Sequence, residues 1–139
     1  MHDPYDLDRF VRAQQPLIAQ VLAELTAGAK RSHWMWFIFP QLAGLGTSPT
    51  AVRFALGSLA EARAYLAHPL LGPRLLQCTQ LVNTVQGRAA QEIFGTPDDL
   101  KFRSCMTLFA HAAPHGPWRV ALAKYFAGEE DPLTRERLT

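Results

Sequence analysis

The chain has 139 residues, 48% of them hydrophobic, two cysteines and a formal charge of +2. That length suits one domain, able to bury about two thirds of its unfolded surface without metal or disulfide staples, and the small, scattered charge lacks the basic stripe with interleaved rings that argues for a nucleic-acid polymer. The longest apolar run, residues 34–39, is far short of a membrane span of about 20 residues, and Cys78 and Cys105 sit inside apolar helical patterns with no basic-then-apolar leader at the start, so a reduced cytoplasmic setting is expected.

From the N-terminus, Leu7, Phe10, Val11, Leu17, Ile18, Val21, Leu22 and Leu25 recur at three- and four-residue steps, the pattern of a helix with one buried face. Pro16 interrupts it. Proline lacks the amide donor and crowds the preceding turn, so the spacing predicts a kink or a second helix carrying Pro16 in its first turn. Gly28 is the expected stop. Ser32 to Phe39 is apolar on every side and fits a buried helix or a buried strand; helices on both sides favour helix, broken at Phe39-Pro40-Gln41 because a residue before proline avoids the helical region. Gly44, Gly46, Ser48 and Pro49 mark a loop whose serine can cap a short helix reaching Leu56. Ser58-Leu59-Ala60-Glu61 has capping-box spacing, in which serine and glutamate each satisfy an orphan backbone donor, and its helix should end near His68-Pro69.

Leu75, Leu76, Cys78, Leu81, Val82 and Val85 mark a longer amphipathic helix from about Pro73 to Gly87, followed by a short one from Arg88 to Phe94 closed by Gly95. Thr96-Pro97-Asp98-Asp99 predicts a helix start: a capping threonine, proline in the first turn and two carboxylates at the positive end of the dipole. That helix should reach about Ala112 and bury Phe102, Cys105, Met106 and Phe109. A last helix from Pro117 carries Trp118, Leu122, Tyr125 and Phe126 and ends at Gly128. The polar tail Asp131 to Thr139 should add one turn or fray. Alternating β-branched runs and Asn-Gly or Asp-Gly hairpin signals are absent. The expectation is an all-α fold, a single compact domain over residues 1–139 of about six to eight helices without significant sheet, with 129–139 as a tail free to fray.

Two segments carry the candidate chemistry. Ser32-His33-Trp34-Met35-Trp36-Phe37-Ile38-Phe39-Pro40-Gln41 gathers four large rings around one imidazole. A ring-lined imidazole can take part in proton transfer, and its neighbours can stack a planar ligand; the competing reading is a core histidine bonded to a carbonyl. His33 is therefore a candidate catalytic residue, with Ser32, Trp34, Trp36 and Gln41 as candidate ligand contacts. The second segment runs from Asp98 to Phe109. On a helix Lys101, Ser104, Leu108 and His111 fall along one stripe, where ammonium and hydroxyl could hold a phosphate or carboxylate, with Thr107 as a further contact and Asp99 as a second proton-transfer candidate. Against this, Asp99 stands where a capping acid belongs, Lys101 and Arg103 could be solvated, and Ser104 and Thr107 could bond back to the preceding turn. Cys105, His111 and His115 lack a fourth spaced ligand, so no metal is expected; a glycine-rich phosphate cradle and a nucleophile elbow are missing, and no cofactor is expected.

The segments Asp3-Pro4-Tyr5-Asp6-Leu7, Ser32-His33-Trp34-Met35-Trp36 with Phe39-Pro40-Gln41, Gly44-Leu45-Gly46, Ala64-Tyr65-Leu66 with His68-Pro69, and Asp99-Leu100-Lys101 followed by Ser104, Met106, Thr107, Leu108 and Phe109 resemble the bacterial family known as domain of unknown function 1810, whose members are sometimes mislabelled calpastatin. The resemblance runs through nearly the whole chain. It implies a mainly helical single domain of this size and no particular reaction. Cys105 stands where a second serine often follows Ser104, and Pro16 interrupts the first helix more than is usual. A fainter likeness to helical YbiA-like hydrolases suggests cleavage of an N-glycosidic bond by analogy alone. Two functions follow as expectations: binding or hydrolysis of a small planar anionic metabolite, nucleotide-like or ADP-ribose-like, in an aromatic pocket, with Lys101 stabilising charge; or a non-catalytic regulatory module whose partner is another protein.

Overall fold

The computed structural model describes residues 3–138. Ten helices follow in order: α1 (Asp8–Gln14), α2 (Ile18–Ala27), α3 (Met35–Ile38), α4 (Pro49–Arg53), α5 (Leu59–Ala67), α6 (Leu71–Thr84), α7 (Ala90–Phe94), α8 (Asp98–Ala112), α9 (Trp118–Phe126) and α10 (Pro132–Leu138). The all-α class holds, while the count exceeds the expected six to eight because seven helices have seven residues or more and three are shorter pieces. Pro16 divides the first amphipathic pattern into α1 and α2 and lies in the turn between them. The aromatic stretch gives only one turn of helix, since Ser32 to Trp34 are drawn out of helical geometry by side-chain bonds described below. Leu56 is not the end of α4. It forms an isolated parallel bridge with Leu42, its amide donating to Gln41 O at 2.9 Å.

Helix starts follow the expected chemistry unevenly. Ser48 Oγ accepts from Ala51 N at 3.1 Å with Pro49 behind it, as its sequence suggests. Ser58 Oγ accepts from Glu61 N at 3.1 Å, but the carboxylate does not complete a reciprocal box: Glu61 Oε1 accepts from Gly57 N at 2.9 Å and Oε2 from Arg9 at 3.0 Å. Thr96 does not cap α8; Pro97 occupies the cap position without a side-chain bond, and Asp98 and Asp99 supply the negative charge of the first turn.

α8 is the axis of the molecule. It packs against α5, α7, α9 and α10, and nine of its fifteen residues are buried. Around it the rings interlock: Phe102 meets Phe39 edge to face at 5.0 Å and 87° and stacks on Phe94 at 4.8 Å, and Phe109 bridges Tyr65 and Trp118 in tilted contacts at 5.7 and 5.5 Å. Such pairs add about 0.5–1.5 kcal/mol each beyond their area. Cys78 and Cys105 are unpaired and buried. Burial pushes the Cys78 thiol up to about 12 and Cys105 well above its ordinary range, so both stay protonated and serve as small hydrophobes. Gln14 ties α1 to the aromatic segment, its Nε2 donating to Phe37 O at 2.6 Å and Tyr65 OH at 3.0 Å.

Candidate functional site

The conformation of the aromatic segment is set by a residue that the sequence reading passed over. Glu24 lies on the inward stripe of α2, between Val21 and Leu25, and is 8% exposed. Its carboxylate accepts from Arg31 N (2.8 Å), Ser32 N (3.1 Å), Ser32 Oγ (2.6 Å), Trp34 Nε1 (2.9 Å) and Gln20 Nε2 (3.0 Å). Burial pushes its pKa up, but the bonds from Ser32, Arg31, Trp34 and Gln20 together outweigh burial and hold the group at about 2. The signal was available as an acid on an apolar helical stripe, since a buried carboxylate must find donors. Ser32 and Trp34 are thus partners of Glu24. Trp34 is fully buried.

His33 falls outside this arrangement. Helix α3 begins only at Met35, so the imidazole precedes it and is exposed. Trp36 is half-buried, and Lys101 Nζ lies 4.8 Å from its ring centroid. Lys101 also pairs with Asp98 at 3.4 Å, and the same carboxylate holds Lys30 at 2.8 Å, whose Nζ stands 5.1 Å from the Trp34 ring. The two sequence-marked segments therefore do meet. They meet through packed rings, Phe39 on Phe102, and through a lysine already paired, and neither cavity described below borders the junction.

The remaining candidates are spread along and beyond this contact. Asp99 is half-buried in the first turn of α8, and its Oδ1 is buried without a hydrogen-bond partner. Ser104 Oγ donates back to Leu100 O at 3.1 Å and is 6% exposed. Thr107 Oγ1 donates to Arg103 O at 2.9 Å and accepts from Asp131 N at 2.9 Å, which fixes the entry to α10. Gln41 is half-buried and its carbonyl serves the Leu56 bridge. The stripe of Lys101 with Ser104 is thus divided: the ammonium reaches Trp36 and Asp98 while the hydroxyl is spent on the helix's own backbone.

Two concavities lie elsewhere, and α10 forms a wall of both. One, of about 850 Å³, lies among residues 42–45, 57–59 and the later turns of α10. The other, of about 570 Å³, lies between Arg103 and His111 of α8, Arg119 of α9 and the start of α10. In this second groove Glu130 gathers three basic groups: His111 Nε2 at 2.8 Å, Arg119 at 3.1 Å and Arg135 at 3.2 Å. Arg103 is held beside it, donating to Glu129 O at 3.0 Å and Glu130 O at 2.9 Å. The tail expected to add a turn or fray forms this structure because Asp131 Oδ2 accepts from Thr134 N and Oγ1, at 2.9 and 2.7 Å, starting α10. Polar sequence concealed it: α10 buries little of its own surface and is held by caps and ion pairs.

Ten helices among the described residues, with α8 buried between its neighbours and a carboxylate-centred basic groove along its flank, define an all-α protein of unassigned activity. The chain belongs to the family described as protein of unknown function (DUF1810), whose profile matches residues 4–138. It is similar to the crystal structure of the conserved hypothetical protein Rv1873 from Mycobacterium tuberculosis, at 60% identity over 98% of each chain with a TM-score of 0.97. No curated protein matches it.

Proposed function

We propose that the protein binds a small phosphate-bearing metabolite in the groove between α8 and α10. One observation carries this reading: three guanidinium groups and an imidazole converge on a groove whose carboxylates are Glu129 and Glu130, leaving positive charge in surplus. Arg103 is fixed by backbone carbonyls and needs no reorganisation, while the Arg119 and Arg135 side chains are 51% and 66% exposed. Glu130 keeps its bond to His111 Nε2 at 2.8 Å when the two arginines swing out, so a phosphate forming charge-assisted, bidentate bonds can draw them away from Glu130. Binding rather than bond cleavage is what such a groove supports, because both carboxylate oxygens of Glu130 are already engaged by His111, Arg119 and Arg135. Isothermal titration with pyrophosphate and ADP-ribose tests it: saturable binding by the wild type, weakened about tenfold or more in the Arg119→Ala/Arg135→Ala double variant, supports the reading, and equal affinity in both contradicts it.

A second reading keeps the ligand where the aromatic segment meets α8, and the unpartnered Oδ1 of Asp99 favours it. There Trp36 offers the ring for a nucleotide-like base, Lys101 the charge, and Asp99 or His33 the proton transfer for water to cleave an N-glycosidic bond. Lys101→Ala separates the two readings, since it removes binding only in the second.

A further inference from the structure

The cavity of about 850 Å³ on the other side of α10 falls within the range of small-molecule sites, about 300–1,000 Å³. About half of its wall is aliphatic, supplied by Leu42, Leu45, Leu59, Leu133 and Leu138. Leu133 is 60% exposed although it sits at this rim, so an apolar ligand would find unburied surface there to cover. The cationic residue of the wall is Arg137. Its Nε donates to Ala43 O at 3.0 Å, a bond that uses one of the five donors a guanidinium carries. The group also lies against Gly44, where a Cβ would stand 2.0 Å from Nη2 and 2.3 Å from Cζ. Glycine is therefore the residue that admits this approach, and the guanidinium, anchored through Nε, lies at the edge of the leucine wall. A planar fork suits bidentate recognition of a carboxylate.

We infer that this cavity is a second binding site, independent of the α8–α10 groove, for a small monocarboxylate with an apolar body, whose carboxylate is read by Arg137. The test is an amide-resolved NMR titration of the full chain with 3-phenylpropionate, its uncharged counterpart 3-phenylpropanol, and acetate. Saturable shifts at residues 43–45 and 57–59 with 3-phenylpropionate, and affinity about tenfold or more lower for the alcohol and for acetate, support the site. Arg137→Lys keeps the charge and loses the fork, so it should weaken the acid by about tenfold while leaving the alcohol unchanged. Absence of saturable binding up to about 10 mM, equal affinity for acid and alcohol in the wild type, or shifts confined to other parts of the chain overturns it. The comparison of acid with alcohol needs no variant, so it decides the matter even where Arg137→Lys perturbs the fold.

Discussion

Glu24 shows how one side chain organises the region that the sequence marks most strongly. Removing its charge leaves five donors facing an amide that can satisfy only some of them, and hydrogen bonds to charged groups are worth about 1.5–3 kcal/mol. Glu24→Gln should therefore cost about 2–3 kcal/mol at neutral pH. The sign with pH follows from linkage. The carboxyl is held at about 2 in the folded chain against an ordinary value of 4.5, so its contribution is complete above that ordinary value and is lost as pH falls toward the folded one. Exposed Asp3 acts in the same direction, its carboxyl held low by the amides of Leu7 and Asp8 at the start of α1. Denaturant unfolding of wild type and Glu24→Gln from neutral pH down to the folded pKa should show a gap that narrows steadily; a gap independent of pH would mean that the charge of Glu24 is not what holds the segment.

The packing of α8 makes two further expectations concrete. Phe102 touches Phe39, Phe94, Tyr125 and Phe126 within 6.5 Å and is fully buried, so Phe102→Ala should cost about 3–5 kcal/mol in chemical denaturation. A loss under about 1 kcal/mol would show that the core collapses around the deletion. Gly72 in α6 lies where a Cβ would meet Leu66 O of α5 at 2.0 Å. Because backbone cannot swing aside as a side-chain tip can, Gly72→Ala should destabilise by about 1–3 kcal/mol or more, seen as a lower melting temperature; an unchanged one would place the α5–α6 contact further apart than described. Periodicity made α2, α6, α8 and α9 legible, since each commits an apolar stripe to the core, while α5 was legible from the Ser58 cap and the His68-Pro69 stop. It did not separate buried helix from loop in Ser32 to Phe39, where every face is apolar and a distant carboxylate decides the backbone. Nor did it find α10, whose order comes from Asp131, Thr107 and the Glu130 ion pairs rather than from hydrophobic spacing.

At the scale of the whole molecule, the sequence reading expected an aromatic pocket served by Lys101; the aromatic segment does meet α8, and packed rings fill the contact. The helix that was expected to hold an anion through Lys101 and Ser104 also presents Arg103 and His111 to a groove on another face, completed by Arg119 and by a helix that follows the last apolar pattern. Single-sequence reasoning had no means of seeing this, because the groove draws on positions 103, 111, 119, 130 and 135, none of which shares a motif. Ligand recognition in this account belongs to that assembled surface, and rings such as Trp34 and Phe39 belong to the framework that orients α8. The most direct test is an amide-resolved NMR titration of the intact chain with pyrophosphate. The account predicts saturable shifts centred on Arg103, His111, Arg119 and residues 129–135, with Lys30, His33, Trp36 and Lys101 unmoved; shifts centred on those four residues, or none at all, would contradict it.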